Sequence, residues 1–467
     1  MSPDFGEGRL TISDAVNEDQ TAAAQARRDH QRLASAQAEI EALQFRVSEL
    51  EGSLAYRAQA AVSRRLKSGF RRVGVINRRP RSALDDSERS ANLPGPEANS
   101  RGRALVIDHH WPTPDRDAGS IEIVTLMRSL DALGFDALLA AAKQHDGAQP
   151  MRQALLAQGI NCLRLETTQS VESFLAEQGG SFDLVVLCRV YCGGEFLELV
   201  QKHCRKARIL FNSIDLCFMR VEGQARLLDD AKLFSIAAHI RRREEHLMAN
   251  CDATIVVSQA EHNMLALTHP ETMTVMLPLA REVSVPVTAF ADRSNIGFIG
   301  GFAHAPNIDA VRYFLAEIWP QIHASIPGCG FDIVGADAPA DLLDGVIGQV
   351  RLLGHLPDVR PWFESLRLTV APLRYGAGAK GKVASSLAAG LPCVITKVAA
   401  EGMMLGGADG VIIAEGSTAF ANAVIRAYSD AEAWLSHSAG ALGYANRALS
   451  LSGWQAELDR LLVRIGL

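Results

Sequence analysis

The chain is 467 residues long, 48% hydrophobic and 21% charged, with a net charge of −6. That length is too great for one ordinary domain, and the composition suits a globular enzyme of two domains with an appendage. There is no charged-then-apolar leader and no apolar run of membrane-spanning length, which argues against a secreted or membrane-spanning protein and predicts a cytoplasmic one. Eight scattered cysteines form no C-x-x-C pair. Cys188 and Cys192 are the closest, without partners at zinc-finger spacing, so buried reduced thiols are expected and no metal.

Residues 1–20 are polar without periodicity and read as a disordered tail. Residues 21–56 carry a heptad: Leu33, Ile40, Val47 and Leu54 recur every seventh position, with Ala36, Leu43 and Leu50 between them. The pattern predicts a short coiled coil and a homodimer of two parallel strands; the competing reading is a lone amphipathic helix docked on its own body. Residues 57–82 continue as a helix with Val62, Leu66, Phe70 and Val73 on one stripe. Between Gly52 and Leu84 there are nine Arg or Lys and no acidic residue, so the acidic excess lies wholly elsewhere. A basic amphipathic helix of this kind suits the surface of an anionic membrane, on the inner face of the cell membrane. A solvated linker helix competes with it, while the scarcity of aromatic residues argues against nucleic acid. Residues 83–102, with Pro94-Gly95-Pro96, read as a linker.

From Ala104 onward, buried strand runs alternate with helical patterns. The first half (residues 103–285) has strand runs at Ala104–Asp108, Ala137–Ala141, Leu184–Cys188, Arg208–Asn212 and Thr254–Val257. A helix capped by Asp117 runs to about Leu133, and one long helical stretch is expected from Val221 to Asn250. The second half (residues 286–450) has strand runs at Ile296–Ile299, Phe331–Val334, Val350–Leu353, Leu368–Ala371, Cys393–Ile395 and Val411–Ile413. The alternation predicts an α/β protein with two Rossmann-like parallel sheets facing a cleft.

The most informative stretch is LTVAPLRYGAGAKGKVASSLAAGLPCVITKVAAEGM, from Leu368 to Met403. It reads as strand, glycine-rich turn (Gly376, Gly378), helix and strand. In such units the turn lies at the carboxyl edge of the sheet, where ligands bind. Glycines let amides approach a phosphate, the helix start adds positive potential, and Arg374, Lys380 and Lys382 bring cations to the same place. The G-x-G-x-x-G at Gly376, Gly378 and Gly381 admits an oxidoreductase, but it comes several strands into its domain and Lys397 stands where a ribose-binding acid belongs.

APLRYGAGAKGK, LAAGLPCVIT and AAEGM, preceded by FIGGFAHAPNIDAV (Phe298–Val311) and, in the first half, by DHHWPTPDRDAGS (Asp108–Ser120) and the SIDL around Asp215, resemble glycosyltransferase family 4 (glycosyl transferases group 1) from about Arg103 to the C-terminus. That resemblance implies the GT-B fold, a last helix (residues 451–467) crossing back onto the first half, and retaining transfer of a sugar from a nucleotide sugar to a surface polysaccharide or lipid-linked glycan, with no cofactor. It places the donor at Gly300, Gly301, His304, Leu356, Arg374, Gly376, Gly378, Lys380, Lys382, Glu401, Gly402 and Met403. The acceptor side of the cleft falls to Asp108, His109, Gly119 and Ser120, with Asp215 and Arg220 as the polar groups nearest the reaction. Asp115-Arg116-Asp117 spells D-x-D but lies outside the donor half, which argues against a metal there.

The chain departs from the family pattern at several places. Asn212 and Cys217 replace an Asp and a His, Ser385 stands where a ribose-binding Glu is common, and Gly301 and Asn307 replace two cations. His304 either substitutes for part of that charge or serves the Asn307 turn. The alternative function is therefore a degenerate GT-B scaffold at a membrane-bound assembly.

Overall fold

The structure, a computed structural model, describes residues 100–143, 149–165 and 170–467. The expected tail, coiled coil and basic helix, and nearly all of the linker, lie outside the described residues. The first half contains β1 (Gly102–Asp108), α1 (Ala118–Ala132), β2 (Phe135–Ala141), α2 (Gln149–Ala157), α3 (Val171–Gln178), β3 (Leu184–Cys188), α4 (Val190–His203), β4 (Arg208–Asn212), α5 (Cys217–Leu228), α6 (Ala231–Asn250), β5 (Ala253–Val256), α7 (Gln259–Thr268) and β6 (Thr274–Met276). The second half contains β7 (Ser294–Ile299), α8 (Ala305–Tyr313), a π-turn at Phe314–Ile318, α9 (Trp319–Ser325), β8 (Gly330–Val334), β9 (Gln349–Gly354), α10 (Arg360–Ser365), β10 (Leu366–Ala371), α11 (Gly381–Ala388), β11 (Cys393–Ile395), α12 (Lys397–Ala400), β12 (Val411–Ile413), α13 (Ser417–Ser429) and α14 (Ala431–Ala448). The chain ends with α15 (Leu451–Arg464).

Both sheets are six-stranded and parallel. Their orders are β2-β1-β3-β4-β5-β6 and β12-β11-β10-β7-β8-β9. Central strands such as β3 and β8 are buried at every position, which is why they read as unbroken apolar runs. In each sheet the strand order reverses once, between β1 and β3 and between β7 and β10. A crevice for a ligand forms at such a point, outside the carboxyl ends of the strands.

Two expectations need correction. The helical stretch from Val221 to Asn250 is two helices, and the first starts at Cys217. Asp229 adopts a left-handed conformation (φ 52°, ψ 46°), and Asp230 accepts the N–H groups of Lys232 and Leu233 to start α6. A short polar side chain tolerates the left-handed region and caps a helix well, so the Asp-Asp pair breaks what periodicity alone joins. Strand β6 was not foreseen; three half-buried residues are too few to show an alternation. The helix cap at Asp117 is present, its carboxylate accepting the Ser120 N–H at 2.9 Å. All eight cysteines are unpaired, and all but Cys251 are buried.

Each half has its own apolar core. The second is built around Phe298, Phe314, Trp319, Phe331 and Phe420. The first, around Ala104, Val106, Leu130, Leu139 and Val186, takes in Trp454, Leu458, Leu461 and Leu462 of α15. The last helix is thus part of the first half's core. Beneath the cleft, Arg281 of the connecting segment bonds Glu122 of α1 at 2.7 Å, both side chains nearly buried, and its N–H bonds the Leu449 carbonyl at 2.9 Å. Truncating Trp454 to Ala should cost about 3–5 kcal/mol. Denaturant unfolding of the Trp454→Ala variant checks this, and the loss should fall on the first half although the substitution lies near the chain's end.

Candidate functional site

Five of the expected site residues meet across the cleft. The charges that act on His304 are Arg220 and Asp215 from the first half and Lys382 and Lys380 from its own. His304 keeps exposed surface, yet groups from both halves crowd it. That desolvation, followed by the charge of Arg220, pushes its pKa down to about 3, so it is a neutral donor or acceptor at physiological pH. His304 also occupies the N-cap position of α8, where its carbonyl accepts the Asn307 N–H at 2.9 Å.

The glycine-rich turn packs directly on the first half. Gly378 has φ +65°, and a Cβ there would lie 3.2 Å from Cβ of Asp215. Lys380, 6% exposed, donates to the carbonyls of Ala377 (3.2 Å) and Gly378 (2.6 Å) and so closes the turn. Lys382 donates to Oδ1 of Asn307 at 2.8 Å, and Nδ2 of Asn307 donates to the Gly301 carbonyl at 2.7 Å. Burial, then repulsion from Lys380, lowers the Lys382 pKa to about 8. Two cations at the start of α11 oppose its macrodipole, an arrangement that an anion at the same place would relieve.

Other donor residues are used differently from the expectation. Arg374 forms a two-pronged ion pair with buried Asp309, and its charge is neutralised inside the second half. The N–H of Gly300 bonds the Val334 carbonyl, and those of Glu401 and Met403 bond Lys397 and Ala400, so these amides are committed to backbone. The side chain of Leu356 packs against the cluster of Trp362 and Phe363. Gly402, at φ +82°, lies so close to Ser258 that a Cβ would fall 2.2 Å from its Oγ, while its carbonyl accepts the Gln259 N–H at 3.1 Å. Glu401 is exposed and faces Lys380.

On the acceptor side Asp108 is buried, accepting the His109 N–H at 2.8 Å and Nε of Arg189 at 3.1 Å. Ser120 is buried too, and its hydroxyl donates to Asp117. Neither is open to an acceptor. His109 is half-buried, and burial, then His110, lowers its pKa to about 4. In the D-x-D, Asp117 caps α1 and Asp115 pairs with His355 across the cleft at 3.0 Å.

Sequence reasoning missed three residues. Arg189 ends β3 at φ 64°, ψ 147°, a conformation rare for any residue but glycine, and its guanidinium lies between Asp108 and Asp117. A Cβ on Gly119 would come within 2.9 Å of that guanidinium, which explains the glycine. Glu244 and Glu261 are 0% and 1% exposed and hold the loop that carries Asp215. Glu244 accepts the N–H groups of Cys217 (2.8 Å) and Phe218 (3.1 Å), and Glu261 accepts that of Leu216 (2.9 Å). Ile214 in this loop has φ 65°, a strained value for a β-branched residue. Asp215 in turn binds Arg220 at 3.0 Å; burial would raise its pKa, but the charge and hydrogen bond of Arg220, with Arg189 behind them, act the other way and the pKa is lowered. Cys217 is buried beneath Arg220, 3.2 Å away. Glu244 has a signal in the sequence, since Leu233, Ala237, Ile240, Glu244 and Leu247 lie on one helical face.

Residues 293–430 match the family described as glycosyl transferases group 1. No curated protein matches the sequence. Among solved structures, sucrose-phosphate synthase from Thermosynechococcus elongatus aligns with a TM-score of 0.60 at 14% identity, over 78% of this chain and 99% of its own. TarM of Staphylococcus aureus, in a complex that includes UDP, gives 0.61 at 9% identity over 77% and 99%. HepE of Anabaena, in complex with UDP and glucose, gives 0.58 at 12% identity over 78% and 100%. The fold is GT-B. Its second half carries the matched segment, so Lys380, Lys382 and the Gly376–Gly378 turn all lie within it.

Burial pushes the Glu244 pKa up to about 8. A carboxyl whose folded pKa is raised contributes stability that is full below its unfolded pKa, near 4.5, and lost as pH rises through 8. Glutamine does not titrate. The melting temperature of Glu244→Gln relative to the parent should therefore rise between about pH 5 and pH 8 and level off above it, as thermal melts across that range will show.

Proposed function

We propose that the chain is a retaining glycosyltransferase that takes its sugar from a nucleotide-sugar donor and passes it to a glycan or lipid-linked acceptor. The observation that carries this reading is the desolvated pair Lys380 and Lys382 beside the left-handed Gly378, at the strand-order reversal of the half that matches the glycosyl transferases group 1 family. Fixed cations at that place would stabilise a leaving diphosphate without having to reorganise. TarM and HepE, which share the fold, have been seen with UDP, which supports a nucleotide donor. The acceptor would enter from the first half, past His109, Arg189 and Gly119, toward Asp215 and Arg220. His304 would hydrogen-bond the sugar as a neutral imidazole.

Lys382→Ala should weaken binding of the preferred nucleoside diphosphate by about 1–3 kcal/mol, the scale of a charge-assisted hydrogen bond. Lys380→Ala should cost at least as much, because it also frees the turn. Calorimetry measures both, and unchanged affinity in both variants removes these lysines from the site. A chelator should leave binding unaltered; a strict need for magnesium would return Asp115 and Asp117 to the site.

A second reading, a degenerate GT-B scaffold, draws on Cys217, which occupies a cleft position as a buried thiol, and on half-buried Ser385. Failure of every nucleoside diphosphate to raise the melting temperature would favour it.

No described helix is long and apolar enough to cross a membrane. Nine cations without an acid between Gly52 and Leu84 support reversible attachment to an anionic membrane, each worth about 1 kcal/mol near the surface. The full chain should co-sediment with phosphatidylserine vesicles at low salt, and Phe70→Glu or added salt should release it. If the full chain stays in the supernatant at low salt, the membrane attachment is wrong.

A further inference from the structure

The first turn of α7 is one place where the two halves meet. Ser258 caps the helix by accepting the Glu261 N–H at 3.3 Å, so Ser258 and Glu261 have the spacing of a capping box. In that motif the glutamate turns back to the cap residue. Here its Oε1 instead accepts the Leu216 N–H in the loop that carries Asp215. Oε2 is buried without a hydrogen-bond partner. The positive groups facing the carboxylate are Lys380 and the Gly378 N–H, both from the glycine-rich turn of the second half. The residues beside it reach the same half: Ser258 fits against Gly402, and Gln259 bonds its carbonyl. One carboxylate therefore holds the acceptor-side loop through one oxygen and also faces the donor-side turn.

We propose that Glu261 is a positioning residue that couples the two sides of the site, taking up a proton when a nucleoside diphosphate binds beside Lys380. The proposal rests on the nucleotide-donor reading above. In the empty protein the ionised carboxylate helps to neutralise Lys380. A diphosphate arriving at the turn takes over that ammonium, and its own negative charge then disfavours the carboxylate. The proton comes from solvent and goes to Glu261, most simply on Oε2, which leaves Oε1 on Leu216 and the Asp215 loop in place.

The other charges that face Glu261 act consistently. Asp215 from the β4–α5 loop opposes its ionisation and Lys380 from the turn favours it, while the charge of Glu261 helps to keep the nearby Glu244 of α6 protonated. Glu401 competes for Lys380 from the other side, and Arg220 offsets Asp215. Burial, opposed by the Leu216 N–H and Lys380 and aided by Asp215, raises the Glu261 pKa to about 7, where a modest push changes its protonation.

The test is calorimetry on the full chain with UDP, GDP and ADP at about pH 7, in buffers of different ionisation enthalpy. The wild-type protein should take up about 0.3–0.5 proton more per bound nucleotide than Glu261→Gln, as expected for a group near its midpoint. The amide oxygen of the substituted glutamine can still accept the Leu216 N–H, so the variant should melt within a few degrees of the parent. A purely structural role predicts the same proton uptake in both and would overturn the proposal. The wild-type profile gives an answer even if the variant does not fold. Uptake should peak between about pH 7 and 8; a peak above that range assigns it to Lys382 and removes Glu261. If none of the three nucleotides produces heat or a thermal shift, the donor reading itself fails, and this inference with it. Binding without the Glu261 increment overturns the inference alone.

Discussion

Parallel pairing governs this molecule. A parallel strand cannot return through a hairpin, so each must cross over through a helix or long segment before the next strand begins. Every strand in each sheet therefore ends at one edge, and the loops that follow those ends gather there without taking part in the ladder. In both halves the strand order reverses once, β1 against β3 and β7 against β10, and the two loops at that point part to leave a crevice. Asp108, Arg189, Gly300 and the Gly376 turn all lie at the ends of these four strands. Their proximity is a product of topology before it is one of chemistry.

The electrostatics of the cleft are arranged in nested pairs. Arg374 is neutralised by Asp309, Arg189 by Asp108 and Asp117, and Arg220 by Asp215. The two lysines of the turn are held by neutral oxygens: carbonyls for Lys380, an amide for Lys382. A neutral acceptor orients a cation without cancelling it, so Lys382 keeps its attraction for an incoming anion, while Lys380 is offset by the facing carboxylates of Glu401 and Glu261 without a direct hydrogen bond to either. The difference between a structural and a ligand-directed cation lies here in the charge of its partner, not in the residue type.

This distinction also marks how far the sequence could be read. Strands such as Leu184–Cys188 and Cys393–Ile395 were legible to the residue, because burial on both faces leaves an apolar run between turn signals. The Gly376–Lys382 turn was legible because glycine and lysine after a strand have few other uses. Arg374, three residues past its strand and close to two glycines, looked the same as the lysines; only the position of Asp309, 65 residues earlier, separates them. Glu261 was hidden for a related reason, and Glu244 showed only as a charge on an apolar helical face. Charged residues in a helix usually face water, and what buries these is a loop whose bare amides need an acceptor. Arg189 carries no local pattern, since its unusual backbone is set by neighbours on β1 and α1.

The crossing of α15 onto the first half has a consequence for how the chain is made. Trp454, Leu458, Leu461 and Leu462 belong to a core whose other members, among them Val106 and Leu139, leave the ribosome roughly 300 residues earlier. The first half can form its sheet as it emerges, but its apolar groove stays uncovered until α15 has been made. The second half has no such delay and can close its core around Trp319 and Phe331 while that helix is still being synthesised. Vectorial synthesis thus leaves the N-terminal half waiting for its last helix, and exposed apolar surface during that wait is what chaperones bind. A chain that stops short of α15 would be an incomplete first half attached to a finished second one.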